Sequence, residues 1–207
     1  MTAVVGIAGR VLWLYESLEP DAAASALELM NHLRPPARRS IYNYFIAELL
    51  RPFIGLEPTR ALLRRQPPTH DAAARILYLR TRLPVLALDR DHDALGRAIA
   101  DARRVAHDAC APALGWIADW AAGAQATADS PADALARARA ATRALADHGE
   151  HYIAARLLLD SALLIGGGSW GGQLGEEAAE RFDAMGALAS AAQARGAVHL
   201  TLTPGPQ

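Results

Sequence analysis

Apolar residues recur along this chain at spacings of three and four, and proline or Asp/Ser punctuation interrupts the pattern at regular intervals. The breaks include Glu19-Pro20-Asp21, Arg34-Pro35-Pro36, Gln66-Pro67-Pro68-Thr69, Asp89-Arg90-Asp91, Ala111-Pro112, Asp129-Ser130-Pro131 and the run Gly166 to Gly172. The period between them predicts about eleven helices: 3–18, 21–33, 37–51, 58–66, 70–88, 92–107, 111–127, 131–147, 151–165, 173–185 and 188–199. Thr69, Asp91 and Ser130 are suited to N-caps, and Ser130 is followed by Pro131 at the first helical position and Asp133 in the first turn. Alternation of the strand type is weak throughout.

The helices repeat in pairs. His92-Asp93-Ala94-Leu95 returns as Ala132-Asp133-Ala134-Leu135, 40 residues later. A small-small-large triplet reads Ala73-Ala74-Arg75, Leu114-Gly115-Trp116, Ala154-Ala155-Arg156 and Ala191-Ala192-Gln193, at spacings of 41, 40 and 37 residues. A weaker copy is Ala8-Gly9-Arg10. Fixed spacing of this kind marks an array in which each helix pair buries its face against its neighbours.

Two stretches carry a family resemblance: Asp133-Ala134-Leu135 through His148-Gly149-Glu150-His151-Tyr152-Ile153-Ala154-Ala155-Arg156, and Ala179-Glu180-Arg181-Phe182-Asp183-Ala184-Met185-Gly186 with Ala191-Ala192. They resemble the helix-turn-helix units of tetratricopeptide-like arrays, in particular the degenerate arrays at the C-termini of large bacterial transcription regulators and signalling ATPases. The resemblance spans residues 70 to 200 and extends to 1–66 by extrapolation; the units run 37 to 41 residues and lack the full Trp/Tyr/Pro consensus. It implies an all-α chain forming a right-handed α-solenoid of about five antiparallel helix pairs plus a C-terminal capping helix. Residues 1–200 would be one helical repeat domain and 201–207 a frayed tail.

Composition narrows the chemistry. Apolar residues make up 52% of the 207, aromatics only 6%, which suits close helix packing better than a sheet. All 21 basic residues are arginine, so Schiff-base, pyridoxal phosphate and P-loop lysine chemistry is excluded. Cys110 is the only cysteine; it forms no intrachain disulfide or cysteine-built zinc site and is expected as a small buried apolar side chain. Net charge is −1, which gives no global pull toward nucleic acid or membrane. With no 18-residue apolar run and no signal-peptide start, the expected location is cytoplasmic. Met1 and the Pro-Gly-Pro-Gln tail fit a whole gene product.

In such arrays the first helices of the pairs line a concave face. The resemblance therefore places Arg75, Trp116, Arg156 and Gln193 in a groove, with Tyr78, Trp120 and Asp160 one turn on. Tyr152, Arg156 and Asp160 form the polar stripe of an otherwise apolar helix, and that stripe is expected to face solvent or a groove. Arginine beside tryptophan is the composition of interface hot spots. The expected partner-binding set is thus Arg75, Tyr78, Trp116, Trp120, Tyr152, Arg156 and Asp160, for a peptide or protein carrying an acidic or C-terminal carboxylate group. The competing interpretation makes the tryptophans core and Arg156–Asp160 an intrahelical ion pair.

Other constellations are weaker. Residues 34 to 66 hold seven arginines against Glu48 and Glu57, with Tyr42, Tyr44, Phe45 and Phe53 between them, but these aromatics cluster in one apolar helix. Nucleic acid is therefore not the expected partner. His148, Glu150 and His151 are better read as a polar turn than as metal ligands, and Asp89, Asp91 and Asp93 as an N-cap cluster lacking the glycine of a calcium loop. The run 166–172 is too glycine-rich for a helix and suits a connector or a lid carrying Trp170. No catalytic, cofactor or metal residue is assigned. The reading is a non-enzymatic partner-binding module, set by the resemblance in signalling or transcriptional control. The alternative is a small all-α enzyme or ligand-binding domain closed by the 166–172 loop; homo-oligomerisation through Trp116 and Trp120 is a third.

Overall fold

A computed structural model describes residues 16, 44, 48, 51, 56–65, 71–126, 130–166 and 169–202. The helices expected over 3–18, 21–33 and 37–51 lie outside the described residues apart from Glu16, Tyr44, Glu48 and Arg51, each in helical backbone. The rest is all-helical: α1 Leu56–Arg65, α2 Ala72–Leu88, α3 His92–Asp108, α4 Pro112–Gln125, α5 Pro131–Asp147, α6 His151–Ile165, α7 Ser169–Ala184 and α8 Leu188–Leu202. No strand occurs among the described residues. None of the described helices is long and apolar enough to cross a membrane.

The helix starts follow local chemistry. Ser130 accepts from the Asp133 N–H with Pro131 at the first position of α5, and Asp91 accepts from the Ala94 N–H at the start of α3. The cap of α2 is Asp71, which accepts from the Ala73 and Ala74 N–H groups, two residues beyond the expected Thr69. Four turns share one closing geometry. The Asp91 and Arg90 N–H groups donate back to the Leu86 and Ala87 carbonyls. Ala111 and Cys110 do so to Ala106 and His107, Glu150 and Gly149 to Leu145 and Ala146, and Ala187 and Gly186 to Phe182 and Asp183. These paired bonds require a left-handed residue after the helix. Gly149 and Gly186 supply it freely, whereas Arg90 (φ 56°) and Cys110 (φ 50°) adopt it with a Cβ.

Cys110 is accordingly exposed at a turn, which corrects its expected burial. The left-handed backbone costs an L-residue about 1–2 kcal/mol, partly offset in glycine by its larger unfolded-state entropy. Cys110→Gly is therefore expected to stabilise the chain by about 0.5–1 kcal/mol, read as a higher urea midpoint at unchanged slope.

Each helix packs on the next in sequence; further contacts join α2 to α4 and α6, α4 to α6, and α6 to α8. We call these four the inner layer for their mutual contacts; α3, α5 and α7 pack mainly against their chain neighbours. The repeated positions occupy matching places: Ala94 and Leu95 on α3, and Ala134 and Leu135 on α5, are all buried. One core cluster runs from Tyr44 and Leu63 through Leu79, Leu83, Ile117 and Trp120 to Leu157, and a second joins Leu135, Leu158, Leu159 and Phe182 to Ala191 and Ala194. Helix α6 feeds both, Leu157 into the first and Leu158 and Leu159 into the second, which is why its sequence is apolar nearly all round.

The glycine run departs from expectation. Ser169, Trp170, Gly171 and Gly172 form the first turn of α7, so the helix starts four residues before position 173. A Cβ on Gly171 would stand 2.2 Å from the Gly166 carbonyl oxygen, so the missing side chain lets the turn fold onto the end of α6. Trp170 is exposed there.

Candidate inner-face site

The inner layer carries a line of polar side chains through an apolar interior, and each meets a group from far away in the chain. On α2, Arg80 Nε donates to Glu48 at 2.9 Å, while its two terminal nitrogens donate to the two oxygens of Glu150 at 2.8 Å each. On α6, Asp160 Oδ2 accepts from Arg51 Nη2 at 2.6 Å, with the side chains only 7% and 1% exposed. Asp160 Oδ1 has no hydrogen-bond partner among the described residues. The single Thr81 hydroxyl proton is shared between the Leu77 carbonyl at 3.0 Å and the backbone oxygen of Tyr44 at 3.2 Å, and the Tyr44 ring meets Tyr78 edge-on at 5.2 Å.

Tyr44, Glu48 and Arg51, spaced i, i+4 and i+7 in sequence, are each in helical backbone, and the spacing is that of one helical stripe. That stripe lies against α2 and α6. Glu16 does the same further along: its carboxylate accepts from the Tyr152 hydroxyl at 2.9 Å, and from the Ser190 N–H at 3.0 Å and hydroxyl at 2.6 Å. The space left between Glu48, Arg51, Arg80 and Arg156 is about 20 Å³. That admits one water and no substrate.

Burial sets the electrostatics. Desolvation pushes the Glu48 carboxyl up, opposed by the Arg80 charge and hydrogen bond. The hydrogen bonds from Arg80 hold Glu150 below the ordinary carboxylate value. Burial, with the neighbouring Tyr78, raises the Tyr44 hydroxyl to about 12, and burial, with the Glu16 charge, raises that of Tyr152.

Opposite shifts on the two carboxylates of one arginine give a pH test. Glu150, depressed in the fold, contributes stability above the ordinary carboxylate range that is lost as pH falls through it. Glu48, raised in the fold, contributes most when protonated, and loses that contribution as pH rises through its folded value. Glu150→Gln is expected to cost about 1.5–3 kcal/mol at neutral pH, the gap to the unaltered chain closing below about pH 4. Glu48→Gln should cost little at neutral pH, because Arg80 keeps its fork on Glu150, and should improve relative to the unaltered chain as pH rises. Urea midpoints between about pH 3 and 8 compare the three chains.

The expected partner-binding residues divide. Tyr152, Arg156 and Asp160 come together on the inner layer, where Arg156 Nη1 donates to Gln193 at 2.8 Å. Arg156 and Asp160 are buried and Asp160 pairs with Arg51, so these two do not face solvent as one of the expected alternatives had it. Trp120 is core, its indole N–H shared between the Ser161 hydroxyl at 2.8 Å and the Leu157 carbonyl at 3.2 Å. Tyr78 is buried beside Tyr44. Arg75 pairs instead with Asp101 on α3 at 2.6 Å, and Trp116 packs edge-on against His148 at 5.4 Å.

Sequence reasoning missed Arg80, Glu150, Glu48, Arg51 and Glu16. The available signal was Tyr44, Glu48 and Arg51 on one face of the expected helix 37–51, a charge pair needing complements elsewhere. Among the described residues no group of three or more His, Cys, Asp or Glu is arranged to hold a metal. Glu150 is engaged by Arg80, Asp89 by Arg60, and Asp91 by its helix N-terminus. A hollow of about 240 Å³ lies between the end of α6 and the start of α3, lined by Arg90, His92, Leu95, Leu164 and Ile165 among others; Trp170 is not part of its lining. In comparisons with known proteins, no family model, no curated protein and no solved structure matches the chain.

Proposed function

We propose that the chain is a non-enzymatic helical-repeat module, a solenoid of helix pairs whose inner face captures a helical segment of a protein partner. One observation carries the reading: Tyr78, Arg80 and Asp160 each already meet a side chain of the set Tyr44, Glu48 and Arg51, spaced i, i+4, i+7, from up to 109 residues away. A surface that seats an aromatic ring, a carboxylate and a guanidinium at helical spacing has the chemistry to seat a partner helix of the same pattern. In the conformation described, the chain's own Tyr44, Glu48 and Arg51 hold the place, so a partner binds by exchange with them. The lack of substrate-sized space at the polar cluster favours this reading over catalysis there. A setting in bacterial signalling or transcriptional control is proposed on the family resemblance alone.

Affinity capture with three baits tests the exchange: the unaltered chain, Arg51→Asp, and the charge-swapped Arg51→Asp/Asp160→Arg. A partner held strongly by Arg51→Asp and weakly by the other two supports it. Equal retention on all three, or none, contradicts it.

A further inference from the structure

A second site lies on the other side of α2, where α1, α2 and the start of α3 border an open cleft of about 510 Å³. That volume is in the range of small-molecule sites. Its apolar floor is Leu63, Tyr78 and Val85, all three largely buried, and its rim carries Arg60, Arg64 and Arg82 against Asp89 and Asp91.

The charges at the rim are not equally committed. Arg60 grips both oxygens of Asp89 and also Glu57, so that guanidinium and that carboxylate neutralise each other. Asp91 caps α3 through the Ala94 N–H. Arg64 pairs with Glu57 only at the exposed edge, at 3.2 Å. Arg82 differs: its guanidinium lies 5.5 Å from the centre of the Tyr78 ring and donates to the Tyr78 hydroxyl at 3.0 Å, and it pairs with no carboxylate among the described residues. The ring orients the planar fork, and an arginine so held retains donors for a bidentate anion.

We infer that this cleft binds a small organic anion, a carboxylate or phosphate monoester on an apolar body, with Arg82 gripping the charged group and Leu63, Tyr78 and Val85 covering the body. The site shares Tyr78 with the inner face but does not depend on the partner-binding reading.

Isothermal titration calorimetry on the full chain tests it with benzoate and phenyl phosphate as anionic probes and benzyl alcohol as the neutral one. Saturable one-site binding of at least one anion, at least tenfold tighter than the alcohol, is expected; which anion binds distinguishes a carboxylate ligand from a phosphate one. Arg82→Gln should weaken it at least tenfold and Arg82→Lys less, while Arg104→Gln, at an exposed ion pair on α3, should leave it unchanged. Retained helicity of both Arg82 variants by circular dichroism separates lost recognition from lost fold. No saturable binding of either anion, equal binding of the alcohol, or undiminished binding by Arg82→Gln overturns the inference.

Discussion

Asp160→Ala is expected to destabilise the chain by about 3–5 kcal/mol, because it leaves the Arg51 guanidinium buried without its counter-charge. The cost arises from the stranded partner more than from the lost attraction. Two charges taken out of water recover their desolvation penalty only by pairing, and removing one leaves the other's penalty uncompensated. The double variant Arg51→Met/Asp160→Leu should therefore recover most of the loss, since an apolar pair of similar volume needs no compensation. Thermal and urea unfolding of the two variants read the difference directly. A double variant as unstable as Asp160→Ala would mean that the contact is needed for its geometry rather than for charge balance.

Trp120→Ala is expected to cost about 3–5 kcal/mol by the cavity it opens in the first core cluster. Trp120 is 1% exposed and holds α4 to α6 through Ser161 and the Leu157 carbonyl, so the loss falls where the two core clusters share α6. Trp120→Phe keeps most of the volume and loses only the indole donor, at about 1–2 kcal/mol. Trp116→Ala, at a half-buried ring against His148, should cost less than Trp120→Ala. Urea midpoints for the three variants rank them. Similar losses at Trp116 and Trp120 would contradict the assignment of one as core and the other as edge.

Much of the fold was legible where local chemistry decides it. Ser130-Pro131 and the His148-Gly149 turn mark the ends of α5, and the observed Pro131–Asp147 and His151–Ile165 coincide with the period and punctuation of the sequence. The repeated Ala-Leu openings of α3 and α5 fall at the same buried positions for the same reason: one stripe of each outer helix must pack inward. Where tertiary contact overrides propensity, the reading failed. Glycine lowers helix propensity, yet at Gly171 the absence of a Cβ permits the close approach to Gly166 that starts α7. A cysteine among alanines reads as core, but the turn geometry places Cys110 outside. The inner face was the hardest. Repeat register points to its groove residues but says nothing about which distant segment lies across them. Glu48 and Arg51 pair with residues 32 and 109 positions away, and no local pattern encodes those distances.

On the proposed function, the inner face is a helix-binding surface occupied by the chain's own Tyr44, Glu48 and Arg51. The most direct measurement is fluorescence anisotropy with a labelled peptide spanning residues 38–52, titrated with the unaltered chain and with Arg51→Asp, both confirmed helical by circular dichroism. The tethered segment has an effective concentration on the order of millimolar, so the unaltered chain should exclude the peptide. Arg51→Asp weakens that tethered segment and should bind the peptide saturably and at least tenfold more tightly, while a peptide with the Glu48 and Arg51 charges reversed should not bind. Equal affinity for both chains, or no binding to either, would show that these contacts are ordinary core packing and contradict the account.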